Sequence, residues 1–210
     1  MVFIGPHRLK HGDLMDGIDD LMDRPANVFY CDPPWGQGAL KHFQTINSQQ
    51  NMVPSKNTDL YSFMKAMFEI AVKHTNGPVF VEYGIRWEHE VIRMGRESGL
   101  YHISTISVKY GSKHLPHHLH IFSKTQIILS HEYTSSVIGT HGLDTVRAAI
   151  APYCTKSGII LDPACGLGNT AQVAIEFGMV FRGNEINMKR LERTAAILRA
   201  HEDTISQRTL

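Results

Sequence analysis

The chain has 210 residues, 42% hydrophobic and 20% charged, with a formal net charge of +1. That length suits one domain, residues 1–210, with a core of its own, and the composition excludes disordered, fibrous and disulfide-dense classes. No apolar run approaches a membrane span, and Met1-Val2-Phe3-Ile4-Gly5-Pro6 is too short for a signal peptide, so a cytoplasmic protein without membrane partners is expected.

In chain order, Arg8-Leu9-Lys10-His11-Gly12-Asp13 reads as a short strand ending in Gly-Asp. An amphipathic helix with Leu14, Ile18, Leu21 and Met22 on one face is predicted next, with Asp13 suited to cap it. The run Ala26-Asn27-Val28-Phe29-Tyr30-Cys31 reads as a buried strand, and the two prolines of Asp32-Pro33-Pro34-Trp35 prevent it from continuing. A carboxylate and an aromatic ring are thereby held at a strand's carboxyl end, where open α/β sheets bind ligands. The Asp32 carboxylate and the Pro33 carbonyl are two acceptors and Trp35 is a flat face, a combination that suits a planar base bearing an amino group. A plain Pro-rich turn with a core tryptophan is the simpler alternative.

Residues 36–57 show no clear period and many amides, and read as a long loop following the tetrapeptide. Such a loop is placed to close over a base, with Lys41, His42, Gln44 and Asn47 as candidate phosphate or base contacts. Thr58 is predicted to cap a helix whose stripe of Leu60, Phe63, Met64, Met67, Phe68, Ala71 and Val72 is core. A strand through Val79-Phe80-Val81-Glu82-Tyr83 and a helix over residues 86–98 follow.

Residues 101–110 and 125–132 alternate like two strands, joined by a histidine-rich segment that includes Lys113, His114, His117, His118 and His120. Four histidines in seven residues invite a zinc reading, but no cysteine or acid stands nearby to complete a tetrahedral set. A hairpin facing nucleic acid, with Lys113 and His114 as contacts and no metal, is the preferred reading. Residues 36–124 hold 10 Lys/Arg against 6 Asp/Glu, and the remainder holds 11 against 14, so this middle portion is mildly basic.

His141-Gly142-Leu143-Asp144 opens a helix bearing Val146, Ile150 and Tyr153. The apolar run Gly158-Ile159-Ile160-Leu161 then enters Asp162-Pro163-Ala164-Cys165-Gly166-Leu167-Gly168-Asn169-Thr170, and a helical pattern follows. Strand, glycine turn and helix make a cradle in which backbone and a nucleotide cofactor approach closely. Val180-Phe181-Arg182-Gly183-Asn184-Glu185 is a second strand ending in an acid placed for ribose hydroxyls. Met188, Leu191, Ala195 and Leu198 mark a final amphipathic helix. The three cysteines, Cys31, Cys154 and Cys165, have no metal spacing, which fits a reduced chain.

These two motifs together resemble the S-adenosylmethionine-dependent amino-methyltransferases of DNA, which methylate adenine N6 or cytosine N4. Asp32, Pro33, Pro34 and Trp35 resemble the family's catalytic tetrapeptide. The stretch Asp162, Pro163, Ala164, Cys165, Gly166, Leu167, Gly168, Asn169 and Thr170 resembles its cofactor motif, with Ala164 in place of the usual Phe and Asn169 before the threonine. The resemblance implies that Glu185, with Ile186 and Asn187, binds the cofactor ribose, and that Asp13 sits beside its adenine. His141 and Gly142 would lie near its methionine end.

The tetrapeptide precedes the cofactor motif, the permuted order of the family's beta class. The implied fold is a circularly permuted, Rossmann-like class I methyltransferase, an α/β architecture with a mostly parallel seven-stranded sheet and an antiparallel pair. The chain would begin at the family's third strand and supply the first two at its end, with no separate target-recognition domain. The implied activity is methyl transfer to a flipped-out base, with adenine N6 preferred because Asp leads the tetrapeptide. An RNA adenosine target, a DNA cytosine target and a catalytically inactive nucleic-acid-binding subunit are the alternatives, and a homodimer or an accessory subunit remains open.

Overall fold

The structure, a computed structural model, describes residues 1–49, 59–111 and 113–208. Eight strands form one sheet: β1 (Val2–Ile4), β2 (His7–His11), β3 (Val28–Cys31), β4 (Val79–Tyr83), β5 (Tyr101–Tyr110), β6 (Leu115–Ser123), β7 (Ile159–Asp162) and β8 (Val180–Glu185). Their order is β1-β2-β8-β7-β3-β4-β6-β5. The five strands from β2 to β4 in that order are parallel, whereas β1, β6 and β5 pair antiparallel.

The predicted α/β class and parallel centre hold, but the sheet has eight strands rather than seven. The addition is β1, which folds back on β2 through the turn at Gly5 and Pro6. Three residues are too few for alternation to register in the sequence.

Helices α1 (Gly36–Gln49), α2 (Leu60–His74) and α3 (Glu88–Glu97) precede α4 (His131–Val137), α5 (Leu143–Ile150), α6 (Asn169–Glu176) and α7 (Met188–Arg208). They cover both faces of the sheet, which is why β3, β4, β7 and β8 are buried along their whole length. One core joins Tyr30, Phe80, Ile121 and Phe181 to Val146, Ala174 and Leu198 of α5, α6 and α7. The other joins Phe29, Val81 and Ile159 to Phe68 of α2 and Met94 of α3. Side chains alternate along each strand, so neighbours such as Phe29 and Tyr30 enter different cores.

Four expectations change. Residues 36–49 are a helix, not a loop, while residues 50–58, including Thr58, lie outside the described part of the chain. The buried face of α1 carries Gly36, Leu40 and Asn47, and a face built partly from glycine and amide gives no apolar period. The cap of α2 is Asp59, which accepts from Ser62 N at 2.8 Å.

The expected helix after Asp13 is instead two 3-10 turns, Leu14–Asp16 and Asp19–Leu21, separated by Gly17 at φ +75°. The glycine bends the backbone out of the helix while Leu14, Ile18 and Leu21 still reach the core. Finally, the partner of β5 is the histidine segment itself, residues 115–123, and not residues 125–132, which are irregular and then enter α4.

Candidate active site

Four adjacent parallel strands, β8, β7, β3 and β4, run their carboxyl ends into a cavity of about 590 Å³. Each brings one acid there: Glu185 at the end of β8, Asp162 at the end of β7, Asp32 just past β3, and Glu82 near the end of β4. Alternation explains the row. Phe181, Ile160, Tyr30 and Phe80 point into one core, and each acid is on the same parity as the core residue of its strand. A carboxylate row with Arg190 as the one described Lys/Arg in the lining suits a cationic ligand.

Asp32 opens onto the cavity, and its Oδ1 accepts from Trp35 Nε1 at 2.9 Å. Its carboxyl pKa is raised above the ordinary value, first by desolvation at the cavity wall and then by the negative charge of Glu82, with the Trp35 hydrogen bond opposing. The tetrapeptide is anchored from β4: the Tyr83 hydroxyl donates to the Pro34 carbonyl at 3.1 Å and accepts from Gly36 N at 2.8 Å. Gly36 sits at φ +77°, and a Cβ there would come within 2.8 Å of the Trp87 ring, so glycine is needed where the motif turns into α1. Trp35 packs at 4.3 Å from the Tyr110 ring and 5.1 Å from the His117 ring, and both Trp35 and Tyr110 line the cavity.

The loop between β7 and α6 forms the other half of the cavity. Asp162 accepts from Thr170 Oγ1 at 2.5 Å and from Ala164 N at 3.1 Å, yet burial still pushes its carboxyl up to about 7. Glu185 accepts from Gly166 N and from Asn187 N, each at 2.8 Å, and burial raises its carboxyl as well. Gly168 turns the chain into α6 at φ +89°, and a Cβ there would lie 2.9 Å from Thr194 Oγ1. Asn184 donates to the carbonyls of Gly12 and Pro163, at 3.0 and 3.1 Å, and so ties the exit of β2 to this loop. Its own Oδ1 is buried without a hydrogen-bond partner among the described residues, and Asn184 lines the cavity.

Most of the residues expected from the sequence converge here. Asp32, Pro33, Pro34, Trp35, Asp13, Asp162, Pro163, Ala164, Cys165, Gly166, Asn169, Thr170, Glu185 and Ile186 all line the cavity, as do His42, Gln44 and Gly142. Asp13 also caps the first 3-10 turn, accepting from Met15 N at 3.0 Å, so its two predicted roles coexist. Gly168 and Asn187 stand behind the lining and shape it.

Other candidates fall outside. Lys41 is on the exposed side of α1, and Lys113 and His114 are in the turn between β5 and β6, where His114 stacks on His141. His141 itself bonds the Gly111 carbonyl at 2.8 Å rather than facing the cavity. Asn47, by contrast, does line the cavity; it is buried and accepts from Asn187 Nδ2 at 2.8 Å, which ties α1 to the Glu185 loop. No group of three or more metal-ligand side chains occurs among the described residues.

Sequence reasoning missed Tyr30, Glu82, Tyr110 and Arg190. One signal was available: Glu82 is the lone acid in an otherwise apolar buried strand.

No family model and no curated protein matches the chain. Solved structures do. M1.HpyAVI matches with a TM-score of 0.65 at 14% identity, over 91% of this chain and 98% of that one. TTHA0409 of Thermus thermophilus, provisionally named a DNA modification methylase, matches at 0.66 and 12% identity, over 93% and 95% of the two chains. PvuII DNA methyltransferase, described as cytosine-N4-specific, matches at 0.62 and 14% identity, over 95% and 92%. The chain has a DNA-methyltransferase fold. M1.HpyAVI and TTHA0409 are both also known as complexes with S-adenosylmethionine.

Proposed function

We propose that the protein transfers a methyl group from S-adenosylmethionine to the exocyclic amino group of a base in DNA, with adenine N6 as the target. The observation that carries this reading is the single cavity onto which the Asp32-Pro33-Pro34-Trp35 tetrapeptide and the glycine loop both open, lined by the five carboxylates Asp13, Asp32, Glu82, Asp162 and Glu185.

The residues fit the cofactor on the chemistry of their donors. Glu185, Asp13 and the orphaned Asn184 Oδ1 are acceptors suited to ribose hydroxyls and an adenine amine. Asp162, Glu82 and Asp32 supply the negative surroundings that a sulfonium and an ammonium group favour. When bound, the cofactor supplies an electrophilic methyl group.

An aromatic amine is a poor nucleophile because its lone pair is delocalised into the ring. Asp32 and the Pro33 carbonyl accept the amine's hydrogens, which lets the nitrogen pyramidalise toward the methyl group. These hydrogen bonds strengthen as positive charge grows on the nitrogen, so they favour the transition state over the ground state. Once methylated, the nitrogen passes one proton to the Asp32 carboxylate, whose raised proton affinity suits that role. A base paired in a duplex cannot present its amine in line with the methyl group, so the nucleotide must be swung out to reach Trp35 and Tyr110.

The likeness to a cytosine-N4-specific enzyme favours cytosine N4 as a second reading. Alternating duplexes containing only A·T or only G·C pairs, offered separately with methyl-labelled donor, discriminate the two. Label in the A·T duplex alone is the expected result. Label in the G·C duplex alone would move the target to cytosine, and label only in an RNA arm would replace DNA by RNA.

A further inference from the structure

Behind the tetrapeptide lies a buried cluster around Glu82 whose hydrogen bonds the reaction as described does not use. Glu82 is 4% exposed and accepts at both carboxylate oxygens: from the Tyr30 hydroxyl on β3, and from His117 Nε2 on β6 at 2.5 Å. A carboxylate can only accept, so His117 carries a proton on Nε2. Its Nδ1 has no partner among the described residues, and its ring lies 5.1 Å from that of Trp35 at an angle of 31°. Trp35 in turn donates to Asp32 Oδ1. Three strands are thus joined at one carboxylate, and from there a chain of contacts runs through His117 and Trp35 to Asp32.

We propose that Glu82 is a positioning residue for methyl transfer: clamped by Tyr30 and His117, it fixes the ring that holds Asp32 Oδ1 and puts a second negative charge behind Asp32. The amine-facing oxygen of Asp32 then stays oriented, and the Asp32 carboxylate takes up the amine's proton more readily. The inference rests on the methyl-transfer reading, but its physical content is a coupling between two carboxylates. That coupling exists with or without donor and DNA.

The groups that face Asp32 are Glu82 on β4, Tyr30 on β3, Asp162 on β7, Tyr110 on β5 and Trp35, with His117 of β6 behind the ring. The negative charge of Glu82 raises the Asp32 carboxyl more than that of Asp162 does.

The chain has two tryptophans, so W87F leaves Trp35 as the sole indole reporter. Its emission, followed against pH without donor or DNA, is expected to show a transition that D32N abolishes. In W87F/E82Q the midpoint is expected about 1 pH unit or more lower, since a like charge within reach has been removed. In W87F/Y30F, which keeps that charge, it is expected to stay near the parent value. With donor and DNA, E82Q is expected to lower kcat about 10-fold or more and to shift the acid limb of its pH profile the same way, with little change in donor KM.

An unmoved midpoint in E82Q overturns the proposal, and so does a transition that survives D32N, which would belong to His117. Should E82Q lose its cooperative thermal transition, E82S, neutral and smaller, carries the same expectation. A shifted midpoint in a protein that methylates no nucleic acid supports the coupling and overturns the function instead.

Discussion

Asp162→Asn removes one of the four carboxylates that end adjacent parallel strands, and its effect on stability has a pH signature. The Asp162 carboxyl is pushed up to about 7 from an ordinary 3.8, chiefly by burial, with Glu185 and Glu82 adding to the rise and the hydrogen bonds from Thr170 and Ala164 opposing it. Because the folded pKa lies above the unfolded one, protons favour the folded state. The stabilisation is fully present below about pH 4 and is lost as pH rises through about 7.

Integrating between about pH 7.5 and about pH 5, this one group makes the protein about 2 to 3 kcal/mol more stable at the acid end. Buried His7 and His120 and half-buried His102 act in the opposite sense, since all three have lowered pKa values and favour the unfolded chain as it protonates. The informative quantity is therefore the difference between wild type and D162N, in which the histidines cancel. Urea unfolding at several pH values across that window supplies it. A gap that changes by about 2 kcal/mol in the stated direction supports the buried carboxylate row, and parallel curves, constant to about 0.5 kcal/mol, refute it.

Three further outcomes follow from the site. Gly166→Arg places a side chain at φ +52° on the residue whose N–H holds Glu185, so calorimetry should detect neither donor binding nor, in an activity assay, transfer. Asn47→Ala removes the hydrogen bond that Asn187 Nδ2 donates to α1. About 1 kcal/mol of lost interaction should speed donor dissociation roughly fivefold in stopped-flow measurements, with the fold retained by circular dichroism. The acid-lined cavity should prefer a cationic ligand: a donor analogue with an amine in place of the sulfonium is expected to bind more tightly than the neutral sulfide product at low salt, and the preference should shrink as salt is added.

Much of the fold was legible because its central strands are buried on both faces and so appear as short apolar runs. β3 and β7 each lead straight into a motif that cannot continue a strand, Asp32-Pro33-Pro34 and Asp162-Pro163, and this fixed where the cavity would lie. Less legible were elements whose burial is carried by polar or small residues. α1 covers the cavity with Leu40, Phe43 and Asn47 and begins at a glycine, so its period was hidden and it read as a loop. β6 was read only as the hairpin connection between two strands for a related reason. His117 and His120 are fully buried because Glu82 and Thr105 supply partners from neighbouring strands, although His120 alternates with Leu119 and Ile121 as a solvent-facing residue would. A partner 35 residues away leaves no local trace, which is also why Glu82 was passed over although it shares the cavity with Asp32.

In the proposed reaction Asp32, held by Trp35 at the mouth of β3, accepts from an amino group while methyl transfer occurs. The most direct measurement compares wild type and D32A, each given methyl-labelled S-adenosylmethionine and mixed-sequence duplex DNA, with donor binding followed in parallel by calorimetry. The expected result is label in N6-methyladenine from wild type, a loss of about 10²-fold to 10⁴-fold or more in D32A, and donor affinities that agree within about twofold. Label transfer undiminished in D32A, or no label in any nucleic acid from a wild-type protein that binds the donor, would contradict the account.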